Sequence, residues 1–186
     1  MKIGIISDTH GHEGRFALAY DKFFSDADMI LHAGDVLYHG PRNKMLGDYN
    51  PAALAERINN LKMPIVIARG NCDSEVDAMV INAPLEAPYA HVHIGGLNIV
   101  VTHGHLVEDD EAKDDMAKHL KADVFITGHI HQTVLEKRGN TVFINPGSPS
   151  LSKRADGRST AATLTDNEVR IYDIDTGEVL RELKLK

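Results

Sequence analysis

No run of apolar residues in this chain approaches the roughly 18 to 20 that a membrane helix needs, so a membrane-spanning helix is not expected. The apolar start, Met1 to Ile6, is too short for a signal sequence and is ended by Asp8. There is one cysteine, Cys72, so no disulfide can form within the chain, which fits a reducing, cytoplasmic setting. Bases are few: 20 Lys and Arg face 27 Asp and Glu, a net charge of -7, and aromatic residues make up 5%. That balance excludes the basic, stacking surface of a dedicated nucleic-acid binder and makes a polymeric nucleic acid an unexpected partner. Histidine, by contrast, is plentiful at 11 residues, and it is the commonest metal ligand among side chains.

At 186 residues, the chain has room for one domain, spanning 1–186. Short apolar runs at 2–6, 29–31 and 64–68 read as buried strands. Helical spacing at 14–25 separates the first two. Asn50-Pro51 starts another helix, with Leu54, Ile58 and Leu61 on one face. Further on, 91–94 and 97–102 flank Gly95-Gly96 as a hairpin. A helix carrying Ala112, Met116 and Leu120 follows, then a strand at 123–127 and a hairpin of 133–138 with 141–145. The tail (160–165, 168–174, 178–184) alternates as an antiparallel meander, and 147–159 reads as a loop. The pattern predicts an α/β fold of two packed sheets with helices outside.

Five short motifs occur where a predicted strand stops: Asp8-Thr9-His10, Gly34-Asp35, Gly70-Asn71, Thr102-His103-Gly104-His105 and Gly128-His129-Ile130-His131. The carboxyl ends of parallel strands share a rim where ligands usually sit. Each motif alone is a common turn or cap; the ordered set is not. Two carboxylates, one amide and four imidazoles can fill two adjacent sites of mixed oxygen and nitrogen character, suited to Mn, Fe, Zn, Co or Ni. Two ions about 3.5 to 4 Å apart need a bridging carboxylate, and Asp35 is the candidate from its place in the order.

This ordered set resembles the calcineurin-like metallophosphoesterase superfamily. The segments Gly34 to Asn43 and Arg69 to Asp77 are similar to those of its YfcE-type phosphodiesterases. The resemblance runs from Met1 to about Ser150. It implies a four-layer αββα sandwich and a hydrolase with two divalent ions, manganese first. It also implies a small-molecule phosphate ester substrate and a homo-oligomer, dimer or tetramer. Carried over residue by residue, one ion takes Asp8, His10, Asp35 and His131, and the other Asp35, Asn71, His103 and His129. A water or hydroxide between them would attack phosphorus in line. Where many members have His after Gly-Asn, this chain has Cys72, a weak donor poorly suited to protonate the leaving group.

Around this set, Arg42 is a candidate for bidentate phosphate contact, and His39 and His105 for contact with substrate. Asp73 and Asp77 are candidates to hold an imidazole, Asp73 equally a helix cap. His12, His91, His93 and His119 read as surface residues and His32 as a satisfied, semi-buried one. Glu108 to Glu111 reads as a solvated helix start. A protein-interaction scaffold of the same fold, as in a retromer subunit, and a nuclease are the alternative functions.

Overall fold

The computed structural model describes residues 1–107 and 109–185. The first half winds β1 (Lys2–Ile6), α1 (Glu13–Ala19), β2 (Met29–His32), α2 (Pro51–Asn59) and β3 (Ile65–Ala68). Two short pieces follow, α3 (Asp77–Val80) and β4 (Leu85–Glu86). The second half holds β5 (Ala90–Ile94), β6 (Leu97–Val101), α4 (Asp110–His119), β7 (Val124–Ile126), β8 (Thr133–Arg138) and β9 (Thr141–Pro146). The chain closes with β10 (Thr160–Thr165), β11 (Glu168–Asp173) and β12 (Val179–Lys184). One sheet has the order β12-β11-β10-β1-β2-β3-β4, the other β5-β6-β7-β9-β8.

Alternation along the strands sorts the side chains into layers. Ile5, Leu31, Ile99, Val101, Val124, Ile126, Val142 and Ile144 meet between the two sheets. Ile6, Ile30 and Ile67 point the other way, onto Phe16, Leu54 and Ile58 of α1 and α2. Val100, Phe125 and Phe143 face Ala117 of α4. The layers are therefore α, β, β and α, as the resemblance implied. Gly4 is glycine because Phe24 lies flat over it: a Cβ there would stand 2.6 Å from the Phe24 ring. The helix expected at 14–25 is α1 continued by a wider π turn over Tyr20–Phe24. Asn50 caps α2, its side chain accepting from Ala53 N at 3.1 Å. Asp109 caps α4, with Asp110 and Glu111 in the first turn; Glu108 lies outside the described residues.

Register positions the rim. β1, β2, β3 and β4 run parallel, and Ile6, His32 and Ile67 sit side by side near the strand ends. In the other sheet β6, β7 and β9 run parallel, with Val101, Ile126 and Ile144 level. The five motifs therefore emerge at one height. No helix among the described residues is long and apolar enough to cross a membrane.

Candidate metal centre

Backbone hydrogen bonds join four of the five loops in pairs. Asp8 N donates to Gly34 O (3.0 Å), His10 N to Asp35 O (3.0 Å) and Gly128 N to His103 O (3.0 Å). The turns are tight enough to force unusual backbone. Six non-glycine residues among those described have left-handed φ, and five are Asp8, His10, Asp35, His129 and His131. Such a conformation costs an L-residue roughly 1–2 kcal/mol and persists where surrounding structure enforces it, commonly at functional sites.

Each carboxylate has one oxygen tied to its loops and the other turned toward the imidazoles. Asp8 Oδ2 accepts from Ser7 Oγ (2.6 Å) and His129 N (3.0 Å). Its Oδ1 is buried without a hydrogen-bond partner, 3.3 Å from His131 Nε2 and 3.9 Å from His10 Nε2. Asp35 Oδ1 accepts from Cys72 N (2.8 Å), while Oδ2 lies 3.7 Å from His10 Nε2 and 3.4 Å from His103 Nε2.

The imidazoles are aimed by main-chain carbonyls. Nδ1 of His10 meets Tyr38 O (2.7 Å), that of His103 meets Ala33 O (2.7 Å), and that of His131 meets Leu151 O (2.6 Å). A carbonyl only accepts, so each Nδ1 carries the proton and Nε2 turns inward. His10 Nε2 and His131 Nε2 then stand 3.2 Å apart beside the unpartnered Asp8 oxygen. Facing lone pairs next to a buried carboxylate are satisfied by a cation between them, so these residues fit a divalent ion. Asp8, His10 and His131 lie close enough together to hold one ion, and so do Asp8, Asp35 and His103.

Electrostatics follow from this geometry. Burial alone would lower the His103 pKa, but Asp35 and Asp8 outweigh it and raise it to about 9. Its Nε2 faces two acceptors, Asp35 Oδ2 and Asn71 Oδ1 (3.0 Å), which calls for a second ring proton. Burial works against the Asp35 anion as well, yet His103 holds its carboxyl well below the usual range. Burial lowers His10, and burial with the neighbouring His103 lowers His129. Burial, then Asp35, pushes the Cys72 thiol up to about 12.

A metal taking His103 Nε2 must displace that ring proton. Binding at pH 7.5 should therefore release about one proton, and apparent affinity should rise about tenfold per pH unit, levelling near the His103 pKa. Calorimetry in buffers of different ionisation enthalpy measures this. No proton released would contradict the assigned state of His103.

Of the other expected residues, Asn71 reaches His103, and Cys72 stands within the group formed by His10 and Asp35. His129 sits at the margin, its ring edge-on to His103 at 5.1 Å, and joins none of the three-residue clusters. His105 is further out, 5.4 Å from His103 and 6.2 Å from His129 between ring centroids. Arg42 lines the open groove above the cluster, a cavity of 1030 Å³.

Several expectations are corrected. His39 does not line that groove; its ring is held edge-on between Tyr38 (4.7 Å) and Tyr49 (5.5 Å). Asp73 and Asp77 touch no imidazole. Asp73 instead accepts from Asp35 N (2.9 Å), Val36 N (2.7 Å) and Gly70 N (2.7 Å), bracing the backbone that carries Asp35. Asp77 binds Ser74 N and Oγ. His12 is fully buried rather than on the surface, its Nδ1 2.8 Å from Asp48. His32 is satisfied as expected, by Thr9 Oγ1 (3.0 Å) and Gly34 N (3.1 Å), and its burial is complete. His91, His93 and His119 are exposed.

The 147–159 loop contributes more than its composition suggested. Ser148 Oγ donates to Asp8 O (2.8 Å), Leu151 O holds His131, and Lys153 N donates to His131 O (3.0 Å). Lys153 also lines the groove. A main-chain carbonyl has no sequence signature, so Leu151 could not be foreseen.

Comparison with known proteins identifies the family and the fold. The family model of the calcineurin-like phosphoesterase superfamily domain matches residues 1–168. Phosphodiesterase YfcE of Escherichia coli is 37% identical over 91% of this chain and 89% of its own. A probable metallophosphoesterase of Methanothermobacter thermautotrophicus is 30% identical over 97% of this chain and 89% of its own. The E. coli YfcE structure superimposes with a TM-score of 0.87, covering 100% of both chains at 31% identity. Entamoeba histolytica Vps29 in complex with zinc shares the fold, with a TM-score of 0.70 at 20% identity over 100% of both chains. The chain belongs to the calcineurin-like phosphoesterase superfamily.

Proposed function

We propose that this phosphoesterase hydrolyses phosphodiesters of small molecules, using two divalent ions, manganese first, bound by Asp8, His10, Asp35, Asn71, His103, His129 and His131. One observation carries the reading: the unpartnered Asp8 Oδ1 facing two inward imidazole nitrogens. Bound ions would activate water and neutralise charge on the phosphoryl oxygens. The chain's own residues do the rest. Asp35, with Oδ2 3.7 Å from His10 Nε2 and 3.4 Å from His103 Nε2, would be shared by both sites. Asp73, Ser7 and the three carbonyls hold the ligands in register before anything binds.

Arg42 has a separate part. Every other arginine among the described residues has a hydrogen bond or an ion pair, and Arg42 has neither. In a chain of charge -7, a free guanidinium lining the groove is suited to grip the substrate phosphate. The single cysteine supports a cytoplasmic location.

The test is turnover of a chromogenic phosphodiester by chelator-stripped protein, before and after Mn is restored. Mn-dependent turnover is expected, and Arg42→Ala should raise KM by about tenfold with metal content unchanged. Turnover in neither condition would favour a scaffold. Faster cleavage of oligonucleotides than of small diesters would favour a nuclease.

A further inference from the structure

A second cavity lies beside the metal groove, and the function above leaves it unused. It is a trough of 600 Å³ between α2 and the Val76–Val80 segment. Leu37, Pro51, Ala52, Ala55 and Val80 line it together with Glu56, Asn59, Asn60 and Asp77, and no lysine, arginine or histidine does. Tyr38, Val76 and Asp77 line both the trough and the metal groove, so the two cavities adjoin along that shared wall. The wall is also where apolar surface is left open. Tyr38 is 42% exposed, Val76 63% and Val80 45%, with Met79 at 81% on the same short helix α3. Exposed apolar side chains beside a cavity are suited to cover an apolar ligand group.

The two cavities divide by chemistry. The metal groove holds imidazoles, carboxylates, Arg42 and Lys153, and suits an anionic head. The trough's walls are mainly aliphatic and aromatic; its charged residues, Glu56 and Asp77, are anionic and no cation lines it, so a second phosphate is disfavoured there. We propose that the trough is a subsite for an apolar ester group of the substrate, an alkyl or aryl alcohol esterified to the phosphate held over the metal cluster. The inference rests on the phosphodiesterase reading and narrows its substrate class. Its volume lies within the range of small-ligand pockets, roughly 300–1,000 Å³.

The experiment compares binding of methylphosphonate and hexylphosphonate to the Mn-loaded protein by calorimetry, alongside diester turnover and oligomeric state. Hexylphosphonate should bind at least about tenfold more tightly, because each buried methylene strengthens binding by roughly fourfold. Ala52 is exposed in the first turn of α2, where a carboxylate is tolerated by the helix. Ala52→Glu should abolish the chain-length preference while leaving methylphosphonate affinity and Mn content unchanged, and Ala52→Leu should retain the preference. Equal affinities in the wild-type protein would overturn the inference while leaving methylphosphonate binding and diester turnover intact. So would an oligomer dissociated by Ala52→Glu with the preference unaltered, which would make the trough a subunit interface. Loss of both phosphonate binding and diester turnover in the wild type would overturn the function and the inference together.

Discussion

Asp35→Ala protein should lose most of its metal and nearly all of its phosphodiesterase activity. Asp35 has two tasks at once. Its Oδ1 accepts from Cys72 N at 2.8 Å, fixing the loop that carries Asn71. Its Oδ2 stands 3.7 and 3.4 Å from the inward nitrogens of His10 and His103. Alanine removes the group placed to join the two halves of the cluster and strands the raised His103 pKa, which Asp35 supports. The fall in kcat/KM should exceed the roughly 10–100-fold that loss of a residue supporting a ligand costs. The fold should persist, since Asp35 lies at the rim and not between the sheets. Elemental analysis and circular dichroism on the same sample separate loss of metal from loss of structure. Cys72→Ala is the matched control: it leaves the Cys72 N–H in place and should bind metal as the wild type does. Normal turnover in Asp35→Ala would sink the shared-ligand reading.

Gly70→Ala should be nearly as damaging, through sterics alone. A Cβ at Gly70 would lie 2.2 Å from Asp35 Oδ1 and 2.4 Å from Asp35 N. Backbone cannot yield as the end of a flexible side chain can. Either the Gly70 loop withdraws, taking Asn71 from His103, or Asp35 turns out of the cluster. Overpacking of this kind costs about 1–3 kcal/mol, so the thermal midpoint should drop along with metal content. Gly47→Ala provides the contrast, because a Cβ there meets nothing within 4 Å. The two variants should differ by several degrees in Tm, and only Gly70→Ala should lose metal. A Gly70→Ala protein of wild-type metal content would show that the loop is looser than its contacts imply.

The residues that meet at the rim were legible in the sequence because parallel strands impose a simple rule. A strand that ends level with its neighbour delivers the next two or three residues to the same place, and the Ile6, His32 and Ile67 register does that. What holds those residues was much less legible. His12 follows Gly11 and precedes a polar helix start, so no apolar period signals its burial. It is buried because the stretch between β2 and α2 folds back, bringing Asp48 to its ring and pairing Tyr49 with it in an isolated bridge. Asp73 looked like a partner for an imidazole because acids commonly orient histidine ligands. Here main-chain carbonyls do that, and the acid braces backbone N–H groups instead. The four-residue α3 and two-residue β4 went unforeseen because they are too short to show a period. Yet α3 forms the wall between the metal groove and the apolar trough.

The measurement that bears most directly on the centre is an anomalous difference map from crystals of the Mn-loaded protein. Two peaks per chain are expected, one against Asp8, His10 and His131 and the other against Asn71, His103 and His129, with Asp35 touching both. A single peak away from Asp35, or manganese bound only at surface histidines such as His91 and His93, would contradict the assignment.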